Sequence, residues 1–307
     1  MRMFDLFHDY TFQLVATGST LLGVLSGIIG AFSVLRKQSL IGDAISHCAL
    51  PGICLAFLIT RTKSTSFLLL GALICGILGA LLIFLITKYS KIKFDNALAF
   101  TLSFFFGVGL VFLTYIQKLP NANQAGLEKF IFGQASTMLR EDISLVSLIG
   151  SLILLIIFLL RKEFKLLSFD PDFAHSLGYP VRGLSFLLLS MTVIGIIVGL
   201  QTVGVVLMSA MLIAPAAAAR QWTDRFEKMI LLSALFGGAC GIIGTSISSL
   251  YDKVPTGPAI VITISLIVLL SLLFSPNRGI LFRLIQKNKN SRDIRLLLTK
   301  TKGGEKQ

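Results

Sequence analysis

Over 307 residues the chain is 54% hydrophobic and 14% charged, with a mean hydropathy of +0.84. One soluble core cannot hide that much apolar surface, so the composition points to an all-α polytopic bundle in lipid. The net charge is +13, yet nine Lys or Arg follow Phe274 against only Asp293 and Glu305. A basic tail beside a span reads as an anchor on anionic membrane lipid, and nucleic acid is not an expected partner.

The N-terminus does not read as a secretory signal, because Asp5 and Asp9 spoil a basic leader. Nine apolar segments follow: Phe12–Leu35, Leu40–Thr60, Ser66–Thr87, Asn96–Tyr115, Ile143–Leu160, Leu184–Gly199, Val203–Ala219, Met229–Leu250 and Ala259–Phe274. A spanning helix needs about 20 apolar residues, so the sixth, seventh and ninth are short. Short spans are either tilted helices or halves of broken ones, which leaves eight or nine membrane helices. Arg36–Lys37, Lys88–Lys93, Arg161–Arg182, Arg220–Lys228 and the tail fall on one side of this arrangement. The positive-inside rule puts that side in the cytoplasm, with the N-terminus outside and the C-terminus inside. The loop carrying Lys118, Lys129 and Arg140 strains the rule, although Glu128, Glu141 and Asp142 dilute its charge.

Small residues recur at helical spacing: Gly23/Gly27, Ser26/Gly30, Gly71/Cys75/Gly79 and Gly237/Gly241. In lipid, helices associate through close backbone approach, so these positions mark tight pairs or reflect only how common glycine is in membrane helices. The four cysteines, Cys48, Cys54, Cys75 and Cys240, lie in apolar stretches without CxxC spacing and read as buried hydrophobes.

The second segment carries the densest chemistry, Ile41-Gly-Asp-Ala-Ile-Ser-His-Cys-Ala-Leu-Pro-Gly52. Asp43 and His47, four residues apart, lie on one helix face one turn from each other. A carboxylate and an imidazole suit Mn²⁺, Zn²⁺ or Fe²⁺, and ionisable residues inside a span usually mark a pathway. The plainer alternative makes Asp43 a helix cap and His47 a hydrogen-bonding core residue. Two ligands make a weak site; two copies meeting on a symmetry axis supply four. Cys48 projects about 100° away on a regular helix. Pro51 and Gly52 predict a bend, which is either a gate or an ordinary kink.

On the basic side, Phe169–Arg182 predicts a short helix. Asp170 caps it, Pro171 takes the first helical position, Asp172 complements the dipole and Gly178 ends it. Such a helix either docks a cytoplasmic partner or lies on lipid, where its acidic residues fit anionic headgroups poorly. Further on, Val203–Ala219 is rich in small residues and interrupted by Pro215, and Pro258 falls in the first turn of the last span.

No GxxxxGK[ST] loop, HExxH or GxSxG occurs in the sequence, so neither ATP hydrolysis nor hydrolytic catalysis is expected of this chain. An ion-coupled secondary transporter would show charge pairs in several spans. An intramembrane metalloenzyme would need a general base beside the metal. A chelate permease for haem, siderophore or cobalamin-type cargo would need a wider pathway.

Gly42-Asp-Ala-Ile-Ser-His47 with Leu50-Pro-Gly52 resembles the GDALSH…LPG signature of the zinc/manganese/iron permeases of ABC importers. Phe169–Val181 resembles that family's coupling stretch, and Val203-Gly204 through Pro215-Ala-Ala217 its VG…PAA motif. Phe130–Gly133 is similar to its LFG loop, and Pro255–Gly257 to its turn before the last span. The likeness runs over roughly residues 10–282. It implies a type II-like ABC importer permease domain over 1–282 and a separate basic tail over 283–307. By the same resemblance, Asp43 and His47 are the metal pair and Pro51, Gly52 and Pro215 the gate or hinge. Asp170, Pro171, Asp172, Ala174, Leu177 and Gly178 become the ATPase coupling segment. The implied partners are a second permease copy or close paralogue, two cytoplasmic ATP-binding-cassette ATPases, and an extracytoplasmic metal-binding protein. No tightly bound cofactor is implied, only a transported divalent metal, in a bacterial cytoplasmic (inner) membrane. Two features depart from the pattern. Cys48 stands where the family more often has a small non-thiol residue. Asp43 falls only about one turn inside its span, shallower than a pathway residue is expected to lie.

Overall fold

A computed structural model of the chain describes residues 9–62, 64–118, 138–251, 254–276 and 278–283. Among these the regular structure is α-helical throughout. The first four helices are α1 (Tyr10–Leu35), α2 (Ile41–Thr60), α3 (Thr65–Tyr89) and α4 (Phe94–Gln117). They are followed by α5 (Arg140–Leu159) and the short α6 (Arg161–Phe169) and α7 (Pro171–Ser176). The run Val181–Trp222 is interrupted at Gly204, whose φ of 79° is open to glycine but costly for other residues. The interruption divides it into α8 (Val181–Leu200) and α9 (Val203–Trp222), after which come α10 (Phe226–Leu250) and α11 (Thr256–Phe274). The chain folds back at this point, since a Cβ at Gly199 would overlap the Met208 sulfur. Nine of the described helices are long and apolar enough to cross a membrane. The sixth and seventh spans read short because Arg182, the Gln201–Thr202 pair and Arg220 bound their apolar runs.

Burial sorts the spans into two groups. In its most apolar stretch, α2 is 72% enclosed by protein, whereas α5 is 22% enclosed. Helices α1, α2, α8 and α9 form the centre; α3, α4, α5 and α11 flank it and present rows of exposed Leu, Ile and Phe. A helix that is apolar all round suits this peripheral place, because lipid covers what protein leaves open.

The small-residue stripes do the packing they predicted. A Cβ at Gly23 would overlap the Gly237 carbonyl, and one at Gly237 would overlap the Gly23 carbonyl. One turn on, Ser233 Oγ donates to the Gly27 carbonyl at 2.6 Å. These contacts clamp α1 to α10 through backbone approach and a polar bond, the two means available where the hydrophobic effect is weak. The same device joins α2 to α3, where Gly52 and Gly71 face each other too closely for either to carry a side chain.

At the basic side, Phe164 of α6 is fully buried and meets Phe32 edge-on, with ring centroids 5.9 Å apart. Phe226 closes on Phe32 at 5.6 Å and Phe169 on Phe226 at 6.1 Å. Lys165 donates to Glu227 Oε1 at 2.6 Å beside this cluster. Helix α6 is thereby fixed across the ends of α1 and α10. The resemblance to an LFG loop at Phe130–Gly133, and the basic tail beyond Arg283, lie outside the described residues.

Candidate metal-pathway site

Helix α2 begins with Leu40 at its N-cap, which offers no side-chain bond, and Asp43 falls in the first turn. A carboxylate there complements the helix dipole. Asp43 does not cap the helix, so the plainer reading of this residue loses its geometric basis. His47 lies one turn on, with Nε2 3.4 Å from Asp43 Oδ1. The Asp43 side chain is 42% exposed and that of His47 19%, on a helix whose neighbouring positions are closed. Their two polar atoms therefore converge at an opening in the most enclosed span.

The closed sides of α2 explain why only that opening is left. A Cβ at Gly42 would meet the Leu212 side chain at 2.9 Å and the Ser209 backbone at 3.5 Å, so α2 rests on α9 here. Cys48 is fully buried and its sulfur would lie 2.5 Å from a Cβ at Gly79, which places the thiol against α3 and away from the pair. The helix is regular here, so Cys48 points away from the pair, as its spacing predicts. Among the described residues no third His, Cys, Asp or Glu gathers with the first two. One chain thus offers two ligands, fewer than the four of a structural or three of a catalytic zinc site.

Pro51 lies on the Asp43–His47 stripe, another four residues along, and the helix runs through it without interruption. Proline lacks an N–H, so the His47 carbonyl loses its usual helical donor. Gly52 packs on Gly71, and its backbone dihedrals stay helical. Pro215 is buried inside α9, which also continues past it. At the turn entering α2, the half-buried Arg36 donates to Ser185 Oγ at 3.3 Å, and burial lowers its pKa from the usual arginine range.

The coupling candidates assemble elsewhere, on α7, which packs against α6 and the start of α8. Asp170 accepts from the Phe173 N–H at 2.9 Å, and Pro171 occupies the first turn. At the far end Gly178 has φ +83°, donating to the His175 carbonyl, while Tyr179 N–H reaches Ala174 O at 3.1 Å. Both ends are closed by the residues expected to close them. Ala174 alone is buried; Asp170, Asp172, Phe173, Leu177 and Tyr179 are exposed. This short helix is held by one small buried residue and leaves two large apolar side chains, Phe173 and Leu177, exposed. Helix α6 is the element that sequence reading missed. Phe164 and Leu167, three residues apart and buried, were its signal among the charges of Arg161–Lys165.

The family model "ABC 3 transport family" matches residues 8–275. The chain belongs to this family. It is 45% identical over 286 residues to the zinc transport system membrane protein TroC of Treponema pallidum, covering 93% of this chain and 96% of that one. To the manganese transport system membrane protein MntC of Bacillus subtilis it is 47% identical over 289 residues. That match covers 93% of this chain but spans 66% of the longer relative. Among solved structures it resembles PsaBC from Streptococcus pneumoniae, with a TM-score of 0.77 and 30% identity over 90% of this chain and 96% of that one. An inward-facing metal-chelate type ABC transporter matches at a TM-score of 0.67 and 16% identity over 85% of each chain, which speaks to fold alone. The chain is a multi-pass membrane protein of an ABC importer permease family.

Proposed function

We propose that this chain is the membrane permease subunit of an ATP-driven importer that moves a divalent transition metal, Mn²⁺, Zn²⁺ or Fe²⁺, across the cytoplasmic membrane. The observation that carries the reading is the Asp43–His47 pair, converging at 3.4 Å on the open stripe of the most enclosed span. A carboxylate and a neutral imidazole bind these ions, and neither belongs in a lipid-facing position. Relatives named for manganese and zinc transport systems support the same class of cargo. Two ligands per chain hold an ion weakly, which suits cargo; a second copy, or a close paralogue, would complete a set of four around a shared axis.

ATP hydrolysis belongs to separate cytoplasmic subunits in this reading. Helix α7 is their docking element, with Phe173 and Leu177 as the apolar contacts and Asp170 and Gly178 fixing its two ends. Its surroundings support a cytoplasmic location, since Arg161, Lys162, Lys165 and Arg182 lie on that side. With nine spans the N-terminus is then outside, where an extracytoplasmic metal-binding protein would deliver the ion. In this reading residues 1–282 are the permease domain and 283–307 a separate basic tail.

The test is elemental analysis of cells that lack this gene, then regain it as wild type or as His47→Ala, under limiting Mn, Zn and Fe. Wild type restores one metal, and His47→Ala restores less than about a hundredth of that. Loss of a direct ligand should exceed the 10- to 100-fold typical of outer-shell partners. Equal restoration by both, or no change in any metal, would overturn the metal-pathway reading.

A further inference from the structure

We propose that Phe106 is the positioning residue of His47: its ring holds the imidazole in the orientation that lets Nε2 share an ion with Asp43. The proposal rests on the metal-pathway reading above. The His47 and Phe106 ring centroids are 4.6 Å apart and the planes cross at 70°, an edge-to-face contact between α2 and α4. Such contacts are directional, because the ring quadrupole favours this crossing over a parallel stack.

Histidines that bind metal usually donate their second ring N–H to a carboxylate or carbonyl, and this bond sets the tautomer and the ring's aim. In His47, Nε2 faces Asp43 Oδ1 at 3.4 Å. The edge-to-face contact with Phe106 adds a second, directional restraint on the ring's rotation. It is softer than a hydrogen bond, which suits a ligand that must release its ion.

The placement of Phe106 is built rather than incidental. It belongs to the run Phe104-Phe105-Phe106, yet Phe104 stacks on Phe100 and meets Phe105, so those rings occupy one another. Phe106 turns the other way and packs on the core. Three residues along, Gly109 lets α4 close on α2. A Cβ there would meet Leu50 at 2.9 Å, and the Cys54 thiol donates to the Gly109 carbonyl at 3.9 Å. These contacts set the register of α4 on α2 and hence the height of the Phe106 ring beside His47.

The experiment measures uptake of radiolabelled Mn²⁺ and Zn²⁺ into cells carrying wild type, Phe106→Leu, Phe106→Tyr, His47→Gln and the double variant. Phe106→Leu keeps apolar bulk without a ring. It should raise the apparent KM about three- to tenfold, the scale of one aromatic pair, and leave Vmax and the amount of protein in the membrane unchanged. Phe106→Tyr keeps the ring and restores the KM. With His47→Gln already in place, Phe106→Leu has no further effect. Should Leu lower the membrane content, Phe106→Met and Co²⁺ binding to the purified protein, read by its visible absorption, give the same comparison without transport. An unchanged KM in Phe106→Leu, failure of Tyr to restore it, or a full additional loss in the double variant overturns the positioning role. Wild-type uptake by His47→Gln brings down the pathway reading and this proposal together. A defective His47→Gln beside a normal Phe106→Leu overturns this proposal alone.

Discussion

Helix α2 and helix α7 both carry residues that sequence reading singled out, but they are held in place by different means. In α2 the proposed pathway side chains sit on a helix whose other faces fix it in place. Gly42 seats it on α9, Gly52 on Gly71, and Cys48 on Gly79. Asp43 and His47 occupy the one stripe that remains open. In α7 almost nothing is buried except Ala174, and the caps at Asp170 and Gly178 give the helix its shape. A pathway residue needs a rigid frame that tolerates its own removal. A docking helix needs a defined end-to-end shape with its surface left free. Substitutions in the two regions should therefore fail in different ways.

The largest effect is expected where α2 meets α3. A gate glycine and a packing glycine make opposite demands at Gly52. Were it a hinge, alanine would stiffen the helix and slow transport in a protein that still assembles. Here a Cβ at Gly52 would overlap the Gly71 carbonyl, a backbone atom that cannot rotate aside. Gly52→Ala should lower the yield of monodisperse, detergent-solubilised protein by more than about tenfold, as overpacking of a close contact does. Normal yield with lost transport would return Gly52 to the role of hinge.

A smaller and more selective effect is expected at Gly178. Its φ of +83° leaves a Cβ free of any neighbour within 4 Å, so the cost of a side chain is purely backbone strain, roughly 1–2 kcal/mol. Gly178→Val should keep protein yield and metal binding while lowering metal moved per ATP hydrolysed several-fold in the reconstituted complex. Gly178→Asn, which tolerates the left-handed region, should lie between Val and wild type. If Val transports as well as Asn, the shape of this turn does not matter to coupling.

Much of this was legible because the sequence rules involved are local. The caps at Asp170 and Gly178 follow from backbone bonding, and the Asp43–His47 stripe follows from 3.6 residues per turn. Spacing also marked Gly23, Gly27, Gly237 and Gly241, though not that these residues join α1 to α10, because pairing between distant segments is a tertiary fact. At Gly52 likewise, Pro51 beside it is a local signal, whereas the packing on Gly71 is a tertiary one. Helix α6 was hidden because charge at Arg161–Lys165 masked the buried Phe164 and Leu167. Phe106 was hidden among aromatic neighbours, since nothing in a run of three phenylalanines says which one faces a histidine.

The finest distinction lies at Asp170, where two explanations of one carboxylate predict different variants. Its side chain accepts from Phe173 N–H at 2.9 Å and closes the N-terminus of a six-residue helix. A helix that short has few internal bonds, so the loss of one cap is a large part of what holds it. Asp170→Ala should cut transport about two- to fivefold, the usual scale of a lost N-cap. Asn caps about as well as Asp but carries no charge. If capping is the whole role, Asp170→Asn transports at the wild-type rate. If the exposed carboxylate itself pairs with a cation on the ATPase, Asn falls with Ala, and added salt weakens the wild type toward both, because such a pair would be screened. Transport rates of the three proteins at low and high ionic strength separate a residue that shapes the docking helix from one that touches the partner.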